Sequence, residues 1–160
     1  MRTGIGYDIH KFIKGEELIL GGVKIDYKKG LQGHSDADVL VHSLCDALLG
    51  AAALGDIGTL FPDTDEKYKD ANSLDLLKEV IKRIGNKKYE VNNIDSTLIC
   101  ETPNLNKYRK EMIKNLSDII NIPLYDINIK FTTNEGLDSL GKGESIACLA
   151  VATLVPSTDY

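Results

Sequence analysis

His34-Ser35-Asp36-Ala37-Asp38-Val39-Leu40-Val41-His42-Ser43-Leu44-Cys45-Asp46 sets two histidines and three aspartates into the entry and opening turns of a helix. Ser35 is placed as N-cap with Asp38 three residues on, and the pattern predicts a helix from about Asp38 to Leu54, stopped by Gly55. Leu40, Leu44 and Leu48 keep helical spacing on its apolar face. His42 and Asp46, four apart, share another face, which places Asp46 to orient the histidine. The third histidine of the chain lies in Gly6-Tyr7-Asp8-Ile9-His10, where the two-residue spacing points Asp8 and His10 to one side of a strand over residues 2–10. Asp8, His10 and His42 would supply a carboxylate and two imidazoles, the three ligands and open fourth position of a catalytic zinc. The plainer reading makes them a surface strand end and a hydrogen-bonded helix histidine. From the residues alone, both readings stay open.

Outward from this stretch, Leu18 to Ile25 reads as a hairpin turned by Gly21-Gly22, and residues 28–33 as loop. Asp56 to Asp65 reads as an acidic loop anchored by Leu60 and Phe61, a candidate substrate wall. A helix over Ser73 to Ile84 stops at Gly85; a strand follows over 89–101 and a helix over 106–120. Ile127 to Thr133 alternates with period two, and Asn134 to Gly143 is a glycine-rich loop. Glu144 to Val155 fits strand or buried helix by periodicity, and is read as strand. This order predicts one α/β (α+β) sandwich over residues 1–160, a mixed sheet with helices on one face.

Composition narrows the function. A net charge of −5 gives no positive field for a nucleic acid backbone, and the apolar run Ile146 to Val155 is too short to span a membrane. Cys45, Cys100 and Cys148 are odd in number and widely spaced, which suits buried free thiols in a reducing compartment better than disulfides. With no signal-like N-terminus, the expected location is the cytoplasm, or a plastid stroma if a transit segment has been removed.

Further constellations are weaker. His34-Ser35 precedes a helix N-terminus, where an anion is favoured; Asp36, Asp38 and Asp46 suit structural roles better than magnesium. Thr132-Thr133-Asn134-Glu135 puts hydroxyls and a carboxylate at a strand end, suited to a phosphate and a hard cation. Gly141-Lys142-Gly143 is not a P-loop.

Gly6-Tyr7-Asp8-Ile9-His10, His34-Ser35-Asp36-Ala37-Asp38, His42, Gly55-Asp56-Ile57-Gly58, Phe61-Pro62-Asp63-Thr64-Asp65, Pro103, Thr132-Thr133-Asn134-Glu135 and Gly141-Lys142-Gly143-Glu144 together resemble the 2-C-methyl-D-erythritol 2,4-cyclodiphosphate synthase family of the non-mevalonate isoprenoid pathway. The resemblance implies a homotrimer, its sheets around a threefold axis and its sites between subunits, converting 4-diphosphocytidyl-2-C-methyl-D-erythritol 2-phosphate to the cyclic diphosphate and CMP. By position, Asp8, His10 and His42 hold zinc, Glu135 holds magnesium or manganese, and His34 and Thr133 stabilise the transition state. Ser35, Asp56, Ile57, Gly58, Phe61, Pro62, Asp63, Thr64 and Asp65 meet the methylerythritol phosphate. Cys100, Glu101, Thr102, Pro103, Asn104, Leu105, Asn106 and Thr132 wall the cytidine from the adjacent subunit, and Asn134 falls at a further substrate-binding position. Ser139 and Lys142 fall at further ligand positions, but there the family usually carries Phe and Arg, and lysine keeps the charge without the two-pronged geometry.

The chemistry agrees. The nucleophile is the substrate's own 2-phosphate, already anionic, so the protein must supply charge neutralisation and a folded substrate geometry, not a Ser or Cys nucleophile. Two other readings are a zinc phosphoesterase that activates water and a trimeric binding protein knitted together by its metal.

Overall fold

The computed structural model describes residues 1–62 and 71–157. In chain order they form β1 (Arg2–Ile13), β2 (Leu18–Leu20), β3 (Val23–Ile25), β4 (Gly30–Leu31), α1 (Val39–Ala52), α2 (Ile57–Leu60), α3 (Ser73–Asn86), β5 (Tyr89–Ile99), α4 (Arg109–Ile120), β6 (Ile127–Thr132), α5 (Asp138–Gly141) and β7 (Ser145–Pro156). Five strands make a mixed sheet in the order β4-β1-β7-β5-β6. All its pairs are antiparallel except β5 with β6, which α4 connects as the crossover that a parallel pair needs. The ambiguous last run is a strand in the middle of the sheet, registered from Lys11↔Ser145 to Arg2↔Leu154.

Helix α1 lies on β1 and β7, α4 on β6, and α3 against both α1 and β5. The expectation of a single apolar stripe on α1 is too narrow: apart from His42, Asp46 and Gly50 its residues are buried. The sheet covers one side and α3 another, so the helix has nearly the all-round burial of a core element. It sits very low on β1. A Cβ at Gly4 would lie 2.0 Å from the Ala47 carbonyl oxygen, and one at Gly6 1.9 Å from that of Ser43. Only glycine permits this approach.

The β2–β3 hairpin turns at Gly21 (φ 57°) and Gly22 (φ 69°), both left-handed as a two-residue turn of the primed type requires. Its tip decides how α1 begins. The N-cap is Asp38, not Ser35: one carboxylate oxygen accepts from Val41 N–H at 3.1 Å and the other from Gly22 N–H at 2.8 Å. Asp38 is fully buried, and burial, with Asp36 nearby, pushes its pKa up to about 6 despite those donors. The helix closes at Ala52, with Ala53 left-handed, a little before the expected Leu54. Three smaller differences follow from local hydrogen bonding. Gly85 is inside α3, a turn at Asn106–Tyr108 precedes α4, and the loops at 56–65 and 134–143 contain the single turns α2 and α5.

The sheet face away from the helices is partly apolar. Ile5, Tyr7, Ile9 and Leu149 are 40 to 67% exposed there. Cys45, Cys100 and Cys148 are free and buried; burial pushes the Cys100 and Cys148 thiols up to about 12. Among the described residues no helix is long and apolar enough to cross a membrane.

Candidate active site

Alternation on β1 turns Asp8 and His10 toward α1, and His42, one turn into that helix, faces them. Asp8 Oδ2 lies 2.9 Å from His10 Nε2 and 3.1 Å from His42 Nδ1, and the two ring nitrogens are 3.4 Å apart. Zinc ligands at tetrahedral positions about 2.0–2.2 Å from the metal are about 3.3 Å from one another, so these atoms are already near that spacing.

The outer nitrogens of both rings are occupied. His10 Nδ1 is 2.7 Å from the Gln32 carbonyl, which can only accept, so Nδ1 carries a proton and Nε2 is left for a metal. His42 Nε2 meets the hydroxyls of Ser73 at 2.9 Å and Ser35 at 3.1 Å. Burial alone would raise the Asp8 pKa, but the His10 and His42 rings beside it outweigh that effect and hold the carboxyl well below its ordinary range. Burial likewise opposes charge on His10, yet Asp8, the Gln32 carbonyl and Asp38 raise its pKa. The pocket therefore attracts positive charge. Its donor set of one carboxylate and two imidazoles fits zinc, with a fourth position open to substrate.

The neighbouring aspartates do other work. Asp46 does not reach His42; its Oδ1 accepts from Ile57 N–H at 2.7 Å and so fixes the start of α2. The expected pairing fails because both ring nitrogens of His42 are already engaged, Nε2 by Ser73 and Ser35 and Nδ1 by the Asp8 and His10 cluster. Asp56 caps α2 through Thr59 N–H at 2.7 Å, and that bond lowers its pKa. Gly58 is within α2 and Phe61 buries its ring just after it, followed by Pro62. Asp63, Thr64 and Asp65 lie outside the described residues. His34 is exposed at the bend before α1.

A second cluster stands at the other side of the sheet. A cavity of about 200 Å³ is lined by Cys100, Glu101, Pro103, Asn104, Leu105 and Asn106 on one side and Phe131, Thr132 and Thr133 on the other. Cys100 and Leu105 are its buried floor. Glu101 accepts from Asn134 N–H at 2.7 Å, tying the two sides together. Thr102 bonds Tyr27 through its hydroxyl at 3.0 Å. Glu135 takes a bond from Thr133 Oγ1 at 2.7 Å. Ser139 meets the Ser145 hydroxyl at 2.9 Å, and Lys142 ends α5.

Sequence reasoning missed Gln32, Ser73, Phe131 and Arg109. The Arg109 guanidinium lies 4.8 Å from the Phe131 ring centre and donates to Asn106 Oδ1 at 2.9 Å. Phe131 was visible in the alternation of its strand, but nothing in the sequence paired it with a residue of α4.

The YgbB family model matches residues 1–155. The chain belongs to the YgbB family. Relatives in that family include the 2-C-methyl-D-erythritol 2,4-cyclodiphosphate synthases of Alkaliphilus oremlandii and Clostridium acetobutylicum. Each is 54% identical over 155 residues, covering 97% of this chain and 99% and 100% of the relative. Among solved structures, IspF of Plasmodium falciparum in a CDP complex aligns with a TM-score of 0.86 at 38% identity, over 98% of this chain and 97% of that one. The bifunctional IspDF from Campylobacter jejuni aligns with a TM-score of 0.92 at 43% identity, over 96% of this chain; the YgbB chain spans 42% of that longer protein.

Proposed function

We propose that this chain, as one domain over residues 1–160 acting in the cytoplasm, is a phosphorus-oxygen lyase of non-mevalonate isoprenoid biosynthesis. The 2-phosphate oxygen of 4-diphosphocytidyl-2-C-methyl-D-erythritol 2-phosphate attacks the β-phosphorus, the bond to the α-phosphate breaks, and 2-C-methyl-D-erythritol 2,4-cyclodiphosphate and CMP leave. The observation that carries this is the convergence of Asp8, His10 and His42 in a chain 54% identical to relatives bearing that synthase name.

Asp8, His10 and His42 hold zinc, and Glu135 holds magnesium or manganese; bound there, the cations neutralise charge on the diphosphate. His34 and Thr133 donate toward the same charge. Ser35, Asp56, Ile57, Gly58 and the 61–65 segment receive the methylerythritol phosphate. The wall from Cys100 to Asn106, with Thr132, grips the cytidine, and Asn134 is a further substrate contact; the CDP complex of the Plasmodium falciparum relative supports a cytidine diphosphate ligand.

Strands β1 and β6 are separated by β7 and β5, about 14 Å at the usual strand spacing. A substrate that needs both clusters is therefore completed by a neighbouring copy, and the exposed Ile5, Tyr7, Ile9 and Leu149 supply a face for the homotrimer. Phosphorus NMR of the protein with substrate, zinc and magnesium tests the reaction: CMP and cyclic diphosphate in equal amounts are expected, and inorganic phosphate or no turnover would reject it. Light scattering should give three copies; a monomer at micromolar concentration would reject the trimer.

A further inference from the structure

We propose that Ser73, backed by Asp36, is a positioning residue for the metal centre: its hydroxyl fixes His42 in the tautomer that presents Nδ1 to the metal. This rests on the zinc reading of Asp8, His10 and His42.

Ser73 opens α3 and is fully buried. Its N–H donates to Asp36 Oδ2 at 2.9 Å, and its hydroxyl makes a short bond to Asp36 Oδ1. Asp36 Oδ1 accepts that bond, so the single hydroxyl proton of Ser73 is committed to Asp36. Ser73 Oγ then has only lone pairs to offer, and His42 Nε2 lies 2.9 Å from it. An N–H must stand there. The remaining lone pair of the ring is on Nδ1, the atom 3.1 Å from Asp8 Oδ2. The other tautomer would require Ser73 to turn its proton from Asp36 to the ring, giving up the short bond and leaving Asp36 Oδ1 only the longer donation from Asp38 N–H at 3.2 Å.

Ser35 does not make this selection. Its hydroxyl is 3.1 Å from His42 Nε2, but its other bond is acceptance from Ala37 N–H at 3.2 Å, so its proton can point to the ring or away. A ligand on α1 is thus oriented from α3, by a chain of groups running Asp36, Ser73, His42.

The test is zinc affinity, by competition with a chromogenic chelator, and the visible spectrum of the cobalt(II)-loaded protein. Ser73→Ala should weaken zinc by about 10–100-fold and alter the cobalt bands. Ser73→Thr should recover most of the affinity, and Ser35→Ala should lose less than Ser73→Ala. Parent-like zinc affinity and an unchanged cobalt spectrum in Ser73→Ala would overturn the proposal. If Ser73→Ala fails to fold, Asp36→Ala decides, since it removes the acceptor that claims the serine proton: weaker zinc supports the proposal and parent affinity overturns it. A parent protein that binds no zinc through its three ligands overturns the metal reading itself.

Discussion

The metal cluster and the cavity beyond β5 are built on opposite principles. Asp8 and His10 project from the body of β1 and His42 from the first turn of α1, and each outer ring nitrogen is already engaged, so their geometry is set before any ligand arrives. The cavity residues sit where β5 and β6 run out, held by short side-chain-to-backbone bonds such as Glu101 to Asn134. A preorganised charge site should lose function all at once when one ligand goes. A wall made of loops should lose it in increments.

Mutation can break that contrast. His42→Ala should abolish stoichiometric zinc and cut turnover by at least about 100-fold, with CMP affinity and the far-UV circular dichroism spectrum unchanged. A fall in CMP affinity matching the fall in turnover would show that the two clusters are not separable. Glu135→Gln should cut turnover by about 10–100-fold through loss of the second cation, while zinc analysis and calorimetry for CMP stay near parent values. Zinc lost along with activity would move Glu135 into the first cluster. Phe131→Ala should raise the CMP dissociation constant about fivefold, the scale of one lost aromatic contact, and leave zinc untouched.

A smaller effect lies in the support of the metal cluster. The pKa of Asp38 is raised on folding from the 3.8 of a free aspartate to about 6. Its contribution to stability is therefore full below about pH 4 and is lost as pH rises through about 6. Urea unfolding of metal-free protein across that window should give a stability difference, parent minus Asp38→Asn, that declines with rising pH. A flat difference would mean that the buried carboxyl is already ionised at the lower end.

What could be read from the sequence follows the range of the interactions involved. The Asp8/His10 pair is a period-two signal on one strand, the hairpin is a Gly-Gly signal in two residues, and Ile127 to Phe131 is alternation; each is local and each appears in the fold. The misplaced cap has a distant cause. Ser35 and Asp38 are equally good caps on paper, and Asp38 prevails because Gly22, far back in the chain, donates to it. Asp46 was assigned to His42 by helical spacing, but the competing donor, Ile57 N–H, belongs to the next element. Ser73 and the Arg109–Phe131 contact are long-range in the same way. The separation of the candidate site into two clusters depends on strand order, which no local pattern encodes.

The bare backbone at Gly4 and Gly6 reaches further than the core. Because α1 rests against those two positions, they set the height of His42 above Asp8 and His10 as a shim sets the gap of a bearing. Adding one methyl at Gly6 would need clearance of more than an ångström, obtained by lifting the helix or bowing the strand. Either way, three intact ligands would no longer close on one point. In a survey of all substitutions, positions 4 and 6 should therefore form an island of intolerance as deep as the ligands' own, although neither carries an atom that could touch a metal or a substrate.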